Sequence, residues 1–443
     1  MTKPRYARLA DVVASAIENG TLAPGTRLPT HRAFAEASGV ALATATHAYR
    51  DLEHRGLVVG ERGRGTFVRD LGLPLTLGTE QVAADGLIDL VFNIPGSAGD
   101  ADTLRAGLRR LAASGDLEAM LRYQPHGGRP HERRIIAADL ARTLGTVEPE
   151  RLLVTSGGQH GLAITAMGLL RRGEAVACDT LCYPGWKAVA ALQGLDLVPV
   201  AAAPDGVMDP DNLDRLCRTR PIHAVYTMPT VHNPLGSVMR EAERQRLVGI
   251  ARTHDLLIVE DGAYAFLEAN APTSLMALAP ERCVHVGGFS KSVATGLRLG
   301  YLVAPETSVK NLTRAIRATT WNAPALISAL VTGWIEDGTL MQSEEARRRD
   351  GAMRQAILHE AMAGFDVKAH PHAGFAWLPL PVGSRAEPIV TRLRDAGLSV
   401  SGAVPFATTE AVPQALRLAF GGVPVEELRR VFDMVREAAG GAY

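Results

Sequence analysis

The sequence predicts two structural classes in one chain: a small helical module closed by a hairpin, then an α/β body built on a mostly parallel sheet. Three observations predict it. Residues 1–69 carry helical apolar periods, each ended by a stop signal, and finish on two short strand-like runs. Residues 70–87 sustain no period and hold little charge, so they are expected to be a linker. Over residues 88–443 apolar strand-like runs alternate with helical stretches, the pattern of a parallel sheet covered by helices, with a smaller α/β subdomain expected over residues 320–443.

Leu9, Val12, Val13, Ala16 and Ile17 recur at helical spacing, so residues 5–19 form an amphipathic helix. Asn19-Gly20 stops it, because glycine readily takes the left-handed conformation past a helix end. After a Pro24-Gly25 turn, Thr30 stands at the N-cap of a second helix that runs to Ser38-Gly39. A third helix spans about Leu42 to His54 and is ended by Gly56. Leu57-Val58-Val59 and Thr66-Phe67-Val68 then read as strands around Glu61-Arg62-Gly63-Arg64-Gly65. Three helices and a hairpin describe a winged helix-turn-helix, whose second motif helix lies in the DNA major groove. That helix offers Thr44, Thr46, His47 and Arg50 to groove or backbone, and Arg32 is placed to anchor a phosphate. Arg62, Arg64 and Gly65 make a wing tip suited to the minor groove or to phosphates. Residues 1–70 hold ten Lys/Arg against seven Asp/Glu, the sign expected of a module that meets nucleic acid.

In the body, strand-like runs fall at Leu152–Thr155, Ala175–Cys178, Leu197–Val200, Ala224–Met228, Leu256–Glu260 and Cys283–Val286. The last helix, about Val425 to Ala438, puts Leu428, Val431, Phe432 and Val435 on one face. The chemistry-bearing residues follow the strands. Gly157-Gly158, with Gln159 next, sits between a strand and a helix, where backbone amides can approach a phosphate. Ser290 and Arg298 can add a hydroxyl and a charged fork to the same phosphate. Lys291 follows a strand and a short turn, a place where its amine can form a Schiff base with an aldehyde. Asp261 at a strand end can pair with a pyridine nitrogen and keep it protonated, making the ring an electron sink. Tyr264 and Asn233 can reach a ring hydroxyl, Tyr183 can stack on the ring, and Arg417 can grip a substrate carboxylate bidentately. Together these residues describe a pyridoxal phosphate site. His232 suits packing or polar support as readily as catalysis. The four cysteines, Cys178, Cys182, Cys217 and Cys283, lack metal-site spacing and read as buried small hydrophobes.

Composition narrows the classes. Lys plus Arg equals Asp plus Glu at 47 each, hydrophobic residues make up 47% and charged residues 21%, the balance of a globular protein with a sizeable core. No apolar run reaches the roughly 18 residues of a membrane span. The N-terminal MTKPRYARLADVV has a helical period rather than the apolar centre of a signal peptide, so a cytoplasmic location is expected.

Pro24 to Arg32, Ala48-Tyr49-Arg50-Asp51-Leu52 and Gly63 to Val68 resemble the GntR family of bacterial DNA-binding domains over residues 5–69. One departure stands out: Ala41-Leu42 replaces the Ser-Arg that commonly opens the recognition helix, removing an expected DNA-contacting guanidinium. Ser156 to Leu162, Tyr183-Pro184-Gly185, Met228 to Gly236, Glu260 to Tyr264, Gly287 to Arg298 and Leu416-Arg417-Leu418 resemble fold-type I aminotransferases over residues 88–443. Gly158 and Gly288 stand where many relatives carry serine. The resemblance implies that Tyr123 reaches the phosphate of a neighbouring subunit, and hence a homodimer. A winged helix fused to such a domain resembles the MocR (GabR-like) subfamily of GntR regulators. It implies a pyridoxal phosphate-dependent regulator that binds a double-stranded DNA operator. The cofactor is held by Lys291, and an amino acid or related amine displaces Lys291 in an external aldimine. The alternatives are a working aminotransferase with an accessory DNA-binding module, and a regulator that senses the cofactor itself.

Overall fold

The computed structural model describes residues 4–18, 21–22, 26–54, 57–61, 65–68, 86–95, 100–113, 117–203 and 206–440. The chain divides into two compact units, Met1–Leu77 and Gly78–Tyr443. The expected turn signals Asn19-Gly20, Pro24-Gly25 and Gly56 lie outside the described residues, as do Arg62, Arg64 and most of the expected linker.

The first unit holds α1 (Arg5–Glu18), α2 (His31–Ala37), α3 (Leu42–His54) and the antiparallel pair β1 (Val58–Glu61) and β2 (Gly65–Val68). Thr30 caps α2, its hydroxyl accepting from the Ala33 amide at 3.3 Å. Ala10, Val13, Ala14 and Ile17 form the buried stripe of α1 and pack on Tyr49, Leu52, Val58 and Val68. Val12, expected on that stripe, is 69% exposed, because the small core takes the 10–13–14–17 face and turns position 12 outward.

The second unit opens with β3 (Ile88–Asp89), α4 (Asp100–Ala113), α5 (Leu117–Met120) and α6 (Pro130–Leu144). Strands and helices then alternate: β4 (Leu152–Thr155), α7 (Gly158–Leu169), β5 (Ala175–Asp179), α8 (Pro184–Gln193), β6 (Asp196–Val200) and α9 (Pro210–Thr219). The alternation continues through β7 (Ala224–Thr227), α10 (Glu241–Thr253), β8 (Leu257–Asp261), α11 (Leu275–Leu278), β9 (Cys283–Gly288) and β10 (Gly300–Val303). Next come α12 (Glu306–Thr319), α13 (Ala325–Glu336) and the long α14 (Thr339–Ala361). The chain ends with β11 (Phe375–Pro379), α15 (Ala386–Asp395), β12 (Leu398–Ser399), β13 (Ser401–Gly402), β14 (Ala415–Ala419) and α16 (Val425–Gly440).

The large sheet has seven strands in the order β4-β10-β9-β8-β7-β5-β6. β5 to β9 pair in parallel, whereas β10 is antiparallel to both neighbours. One face carries Ile136, Leu140, Leu247, Leu330 and Trp334, the other Leu162, Trp186, Tyr226 and Leu312. A sheet buried on both faces explains why its strands read as continuous apolar runs. A smaller antiparallel sheet, β11-β14-β13, has a core of its own that gathers Leu358, Ile389, Leu416, Leu418 and Phe432. Leu90 joins that core, and β3 pairs in parallel with β12, so residues 88–90 pack with the C-terminal subdomain. Leu330, Trp334 and Leu340 pack with the large sheet, so the small core draws on later residues than position 320.

Candidate functional site

In the large sheet the strand order reverses at β5, which has β6 on one side and β7 on the other. Open α/β sheets bind ligands in the crevice beyond the carboxyl ends of their strands at such a reversal. Gly157 follows β4, Tyr183 follows β5, Asn233 follows β7, Asp261 closes β8 and Ser290 follows β9, so topology brings these distant residues to one crevice.

Gly157 caps α7 with φ +91°, a conformation a side chain rarely adopts, and no side chain caps that helix. A Cβ on Gly157 would lie 3.0 Å from Arg298, whose own φ is +50° and whose Nη1 donates to Ser290 Oγ at 3.5 Å. The glycines match one another closely. A Cβ on Gly300 would come within 2.7 Å of Gly157 C, and one on Gly288 would lie 3.1 Å from Leu299 O. A side chain at 288 would press on the Leu299 carbonyl where β9, β10 and the α7 N-terminus meet, so a neighbour would have to give by a few tenths of an ångström to admit the serine found in many relatives. Gly158 is roomier, with nothing nearer a Cβ than 3.8 Å. Gln159 donates to Gly185 O at 2.8 Å and so ties α7 to the turn that carries Tyr183.

Asp261 is buried, accepting from Tyr226 Oη at 2.8 Å and from the Ala263 amide at 3.0 Å. Burial pushes its pKa up despite those two bonds, so the carboxylate lacks a full counter-charge. Lys291 Nζ donates to Asn93 O at 2.8 Å and lies 6.0 Å from the Tyr264 ring centroid. The Tyr264 hydroxyl accepts from Asn93 Nδ2 at 3.0 Å. Arg417, on β14, is buried, donates to Val91 O at 2.9 Å and faces the Phe375 ring at 5.0 Å. A hollow of about 40 Å³ beside Lys291 is bordered by Asn93, Tyr264, His372 and Gly374. His232 Nε2 lies 3.7 Å from Asp179, which accepts from the Thr227 hydroxyl at 3.2 Å, an arrangement of polar support behind Asn233.

Sequence reasoning missed Asn93 and Tyr226. Asn93 sits in a loop without period, and Tyr226 in an apolar strand, where its only signal was a hydroxyl due to be buried. Tyr123 stands apart, 87% exposed, with its ring 5.7 Å from that of Trp321. Cys178, Cys182 and Cys283 are buried and Cys217 is half-buried; among the described residues no group of metal-ligating side chains assembles.

In the first unit Arg32, His47 and Arg50 are exposed and Thr44 is half-buried. Thr46, expected at the groove, is bonded to His31 Nδ1 at 3.3 Å, so its hydroxyl is engaged within the module. Leu42 is 47% exposed at the start of α3, where an arginine was expected. Gly65 has φ +118°, and a Cβ there would sit 2.9 Å from Arg27 Nε, which places a guanidinium missed in the sequence at the base of the wing.

The crevice fits a phosphorylated pyridine aldehyde. Gln159 Oε1, Asn233 Oδ1 and Arg417 Nε are buried without protein partners, and Asp261 holds a charge that a protonated ring nitrogen would balance. The family described as aminotransferase class I and II matches residues 87–435, and that of bacterial regulatory proteins, gntR family, matches residues 5–68. The HTH-type transcriptional regulator YdeF of Bacillus subtilis is 28% identical over 93% of this chain and 89% of its own. The HTH-type transcriptional regulator TauR of Rhodobacter capsulatus is 27% identical over 94% of this chain and 92% of its own. The crystal structure of LysN, the alpha-aminoadipate aminotransferase of Thermus thermophilus complexed with N-(5'-phosphopyridoxyl)-L-leucine, superposes with a TM-score of 0.73. It is 24% identical, covering 81% of this chain and 93% of that one, and shows the shared fold. The chain thus belongs to the aminotransferase class I and II family and, through its gntR-family N-terminal domain, to the MocR type of transcriptional regulators, with pyridoxal phosphate as cofactor.

Proposed function

We propose that this regulator reads an operator with its winged helix and senses an amino-group-bearing small molecule at the pyridoxal phosphate site. One observation carries the sensing role. Lys291 and Arg417, the amine and the carboxylate-gripping fork, both bond carbonyls of the stretch Val91–Asn93, within a few residues of the segment joining the two units. A ligand that engages either side chain competes with those bonds.

Pyridoxal phosphate supplies an aldehyde for amines and a ring that withdraws electrons. The Gly157-Gly158 amides, Ser290 and Arg298 hold its phosphate, and Asp261 holds the ring-nitrogen proton. Tyr264 and Asn233 orient the ring hydroxyl, Gln159 keeps the Tyr183 turn in place, and Tyr183 covers the ring. Lys291 Nζ is the amine that binds the aldehyde, and Arg417 receives the carboxylate of the effector. Tyr123, exposed on its own chain, reaches the phosphate of a partner subunit in a homodimer. The effector shifts DNA binding only if it favours one arrangement of the protein over another, since equal affinity shifts nothing. Work on an operator places the protein in the cytoplasm; among the described residues no helix is long and apolar enough to cross a membrane.

A second reading, an active aminotransferase, is favoured by Lys291 itself, whose amine has no ion-pair partner among the described residues and would move protons once released from the Asn93 carbonyl. The deciding experiment titrates the protein against its own upstream DNA, with and without pyridoxal phosphate and candidate amino acids. Specific binding that changes with an amino acid supports the sensor. Binding that responds to the cofactor alone supports cofactor sensing. Binding no tighter than to random DNA, together with turnover of an amino acid and an oxo acid, supports the enzyme.

A further inference from the structure

A second, larger cavity of about 210 Å³ opens between α6, the 262–274 loop and α14, and Lys291 does not line it. Two carboxyl groups face it from different helices, Asp139 on α6 and Glu344 on α14. Their shared cation is Arg142, whose short contact of 2.6 Å goes to Asp139 and which stays 4.0 Å from Glu344. Arg348, also on the wall, donates to Phe266 O at 2.8 Å. Glu344 is left short of a partner in a half-enclosed place.

The second observation comes from the sheet. Tyr301 of β10 is only 8% exposed, yet it borders the cavity, and its hydroxyl makes no hydrogen bond among the described residues. Burial, reinforced by Glu344, Asp139 and Glu260, holds that hydroxyl firmly protonated. The hydroxyl borders the cavity and is free to bond a ligand that enters it. Asp261, on the same wall where the cavity meets the cofactor crevice, accepts from Tyr226 Oη and the Ala263 amide and is the carboxylate assigned to the ring nitrogen. The other two carboxyls are already served. Glu260 accepts from two α11 amides and is paired with His285, and Glu268 is paired with His370.

We propose that this cavity is a second ligand site, separate from Lys291, that takes a small protonated amine between Glu344, Asp139 and the Tyr301 hydroxyl. An ammonium group supplies the donor that Glu344 and the hydroxyl oxygen lack, and adds a second cation beside Asp139, which Arg142 already serves. The volume accommodates a short carbon chain behind it. Burial, and then Asp139, push the Glu344 pKa up to about 7, against the pull of Arg142 and Arg348. The site therefore discharges a proton as a cation enters.

The probe is 1,4-diaminobutane, titrated calorimetrically into full-length, cofactor-loaded protein reduced with borohydride, so that no amine can react at Lys291. The Lys291→Ala protein serves as a second background. One saturable site per chain is expected in both. Affinity tightens between about pH 6 and 8 as Glu344 ionises, and the heat varies with the buffer's protonation enthalpy. Glu344→Gln and, independently, Tyr301→Phe weaken binding at least about tenfold. Tyr301→Phe keeps the ring and removes a hydroxyl with no internal bond, so its fold is preserved. The proposal is overturned by the absence of saturable binding in both backgrounds, by binding that vanishes with Lys291→Ala, or by undiminished affinity in the two cavity variants.

Discussion

Tyr226→Phe isolates the contribution of one hydrogen bond to cofactor capture. The Tyr226 ring stacks on Trp186 with centroids 4.7 Å apart, and phenylalanine preserves that packing. What disappears is the shorter of the two hydrogen bonds accepted by Asp261, 2.8 Å from the hydroxyl against 3.0 Å from the Ala263 amide. Tyr226 is 1% exposed and Asp261 3%, so water does not replace the lost donor. A hydrogen bond to a charged group contributes about 1.5–3 kcal/mol. Burial already raises the Asp261 pKa, and removing a bond to its ionised form raises it further. The ionised share of Asp261 therefore falls, and with it the grip on a protonated ring nitrogen. The Kd for pyridoxal phosphate, read by absorbance titration of cofactor-free protein, is expected to rise about ten- to a hundredfold. The loss deepens as pH falls, because the neutral carboxyl is then favoured. A Kd within about twofold of wild type, with an intact circular dichroism spectrum, would refute the assignment of Asp261 to the ring nitrogen.

Four further outcomes can be checked. Lys291→Ala should abolish the visible absorbance of the bound cofactor while leaving the fold intact; an unchanged spectrum moves the covalent site elsewhere. Arg417→Ala should blunt the DNA-binding response to amino acids, measured by fluorescence anisotropy, without removing that absorbance. Arg64→Ala should weaken operator binding and make the plot of log affinity against log salt shallower by about one unit, the signature of one lost phosphate contact. For Glu260, burial works to raise the pKa, but His285 and the Leu275 and Met276 amides outweigh it and the net shift is downward. A depressed carboxyl stabilises the fold above its ordinary value and loses that contribution as pH falls through the lowered one. Glu260→Gln should cost about 1–3 kcal/mol at neutral pH by urea titration and flatten the acid limb of the stability curve.

The parts of the fold that were legible are those in which local pattern and tertiary burial agree. The parallel strands announced themselves as apolar runs because both faces of the sheet are covered, and the glycine, aspartate and lysine positions were readable because each follows such a run. The antiparallel β10 was not readable, since Gly300–Val303 carries the same apolar signature as its parallel neighbours. Asn93 escaped for another reason. Its role depends on a loop crossing to residues 171 and 198 positions away, and no local spacing encodes that. In the winged module the periodicity identified α1, yet the choice between Val12 and Ala14 for the interior was made by α3 and the hairpin. Thr46 shows the same limit, because a polar residue on a recognition helix can face DNA or, as here, a neighbouring histidine.

The parallel pairing of Ile88–Asp89 with Leu398–Ser399 has a mechanical consequence. The first described strand after the join between the two units is an edge of the C-terminal sheet system, although sequence order places it at the far end of the domain. Tension on residue 87 is therefore resisted first by β12 and by Leu90 in the small core, and within three more residues by the carbonyls that Arg417 and Lys291 hold. A version of this domain cut after Asp89 would lose an edge strand and expose β12. The domain is most safely separated from its DNA-binding unit upstream of Ile88.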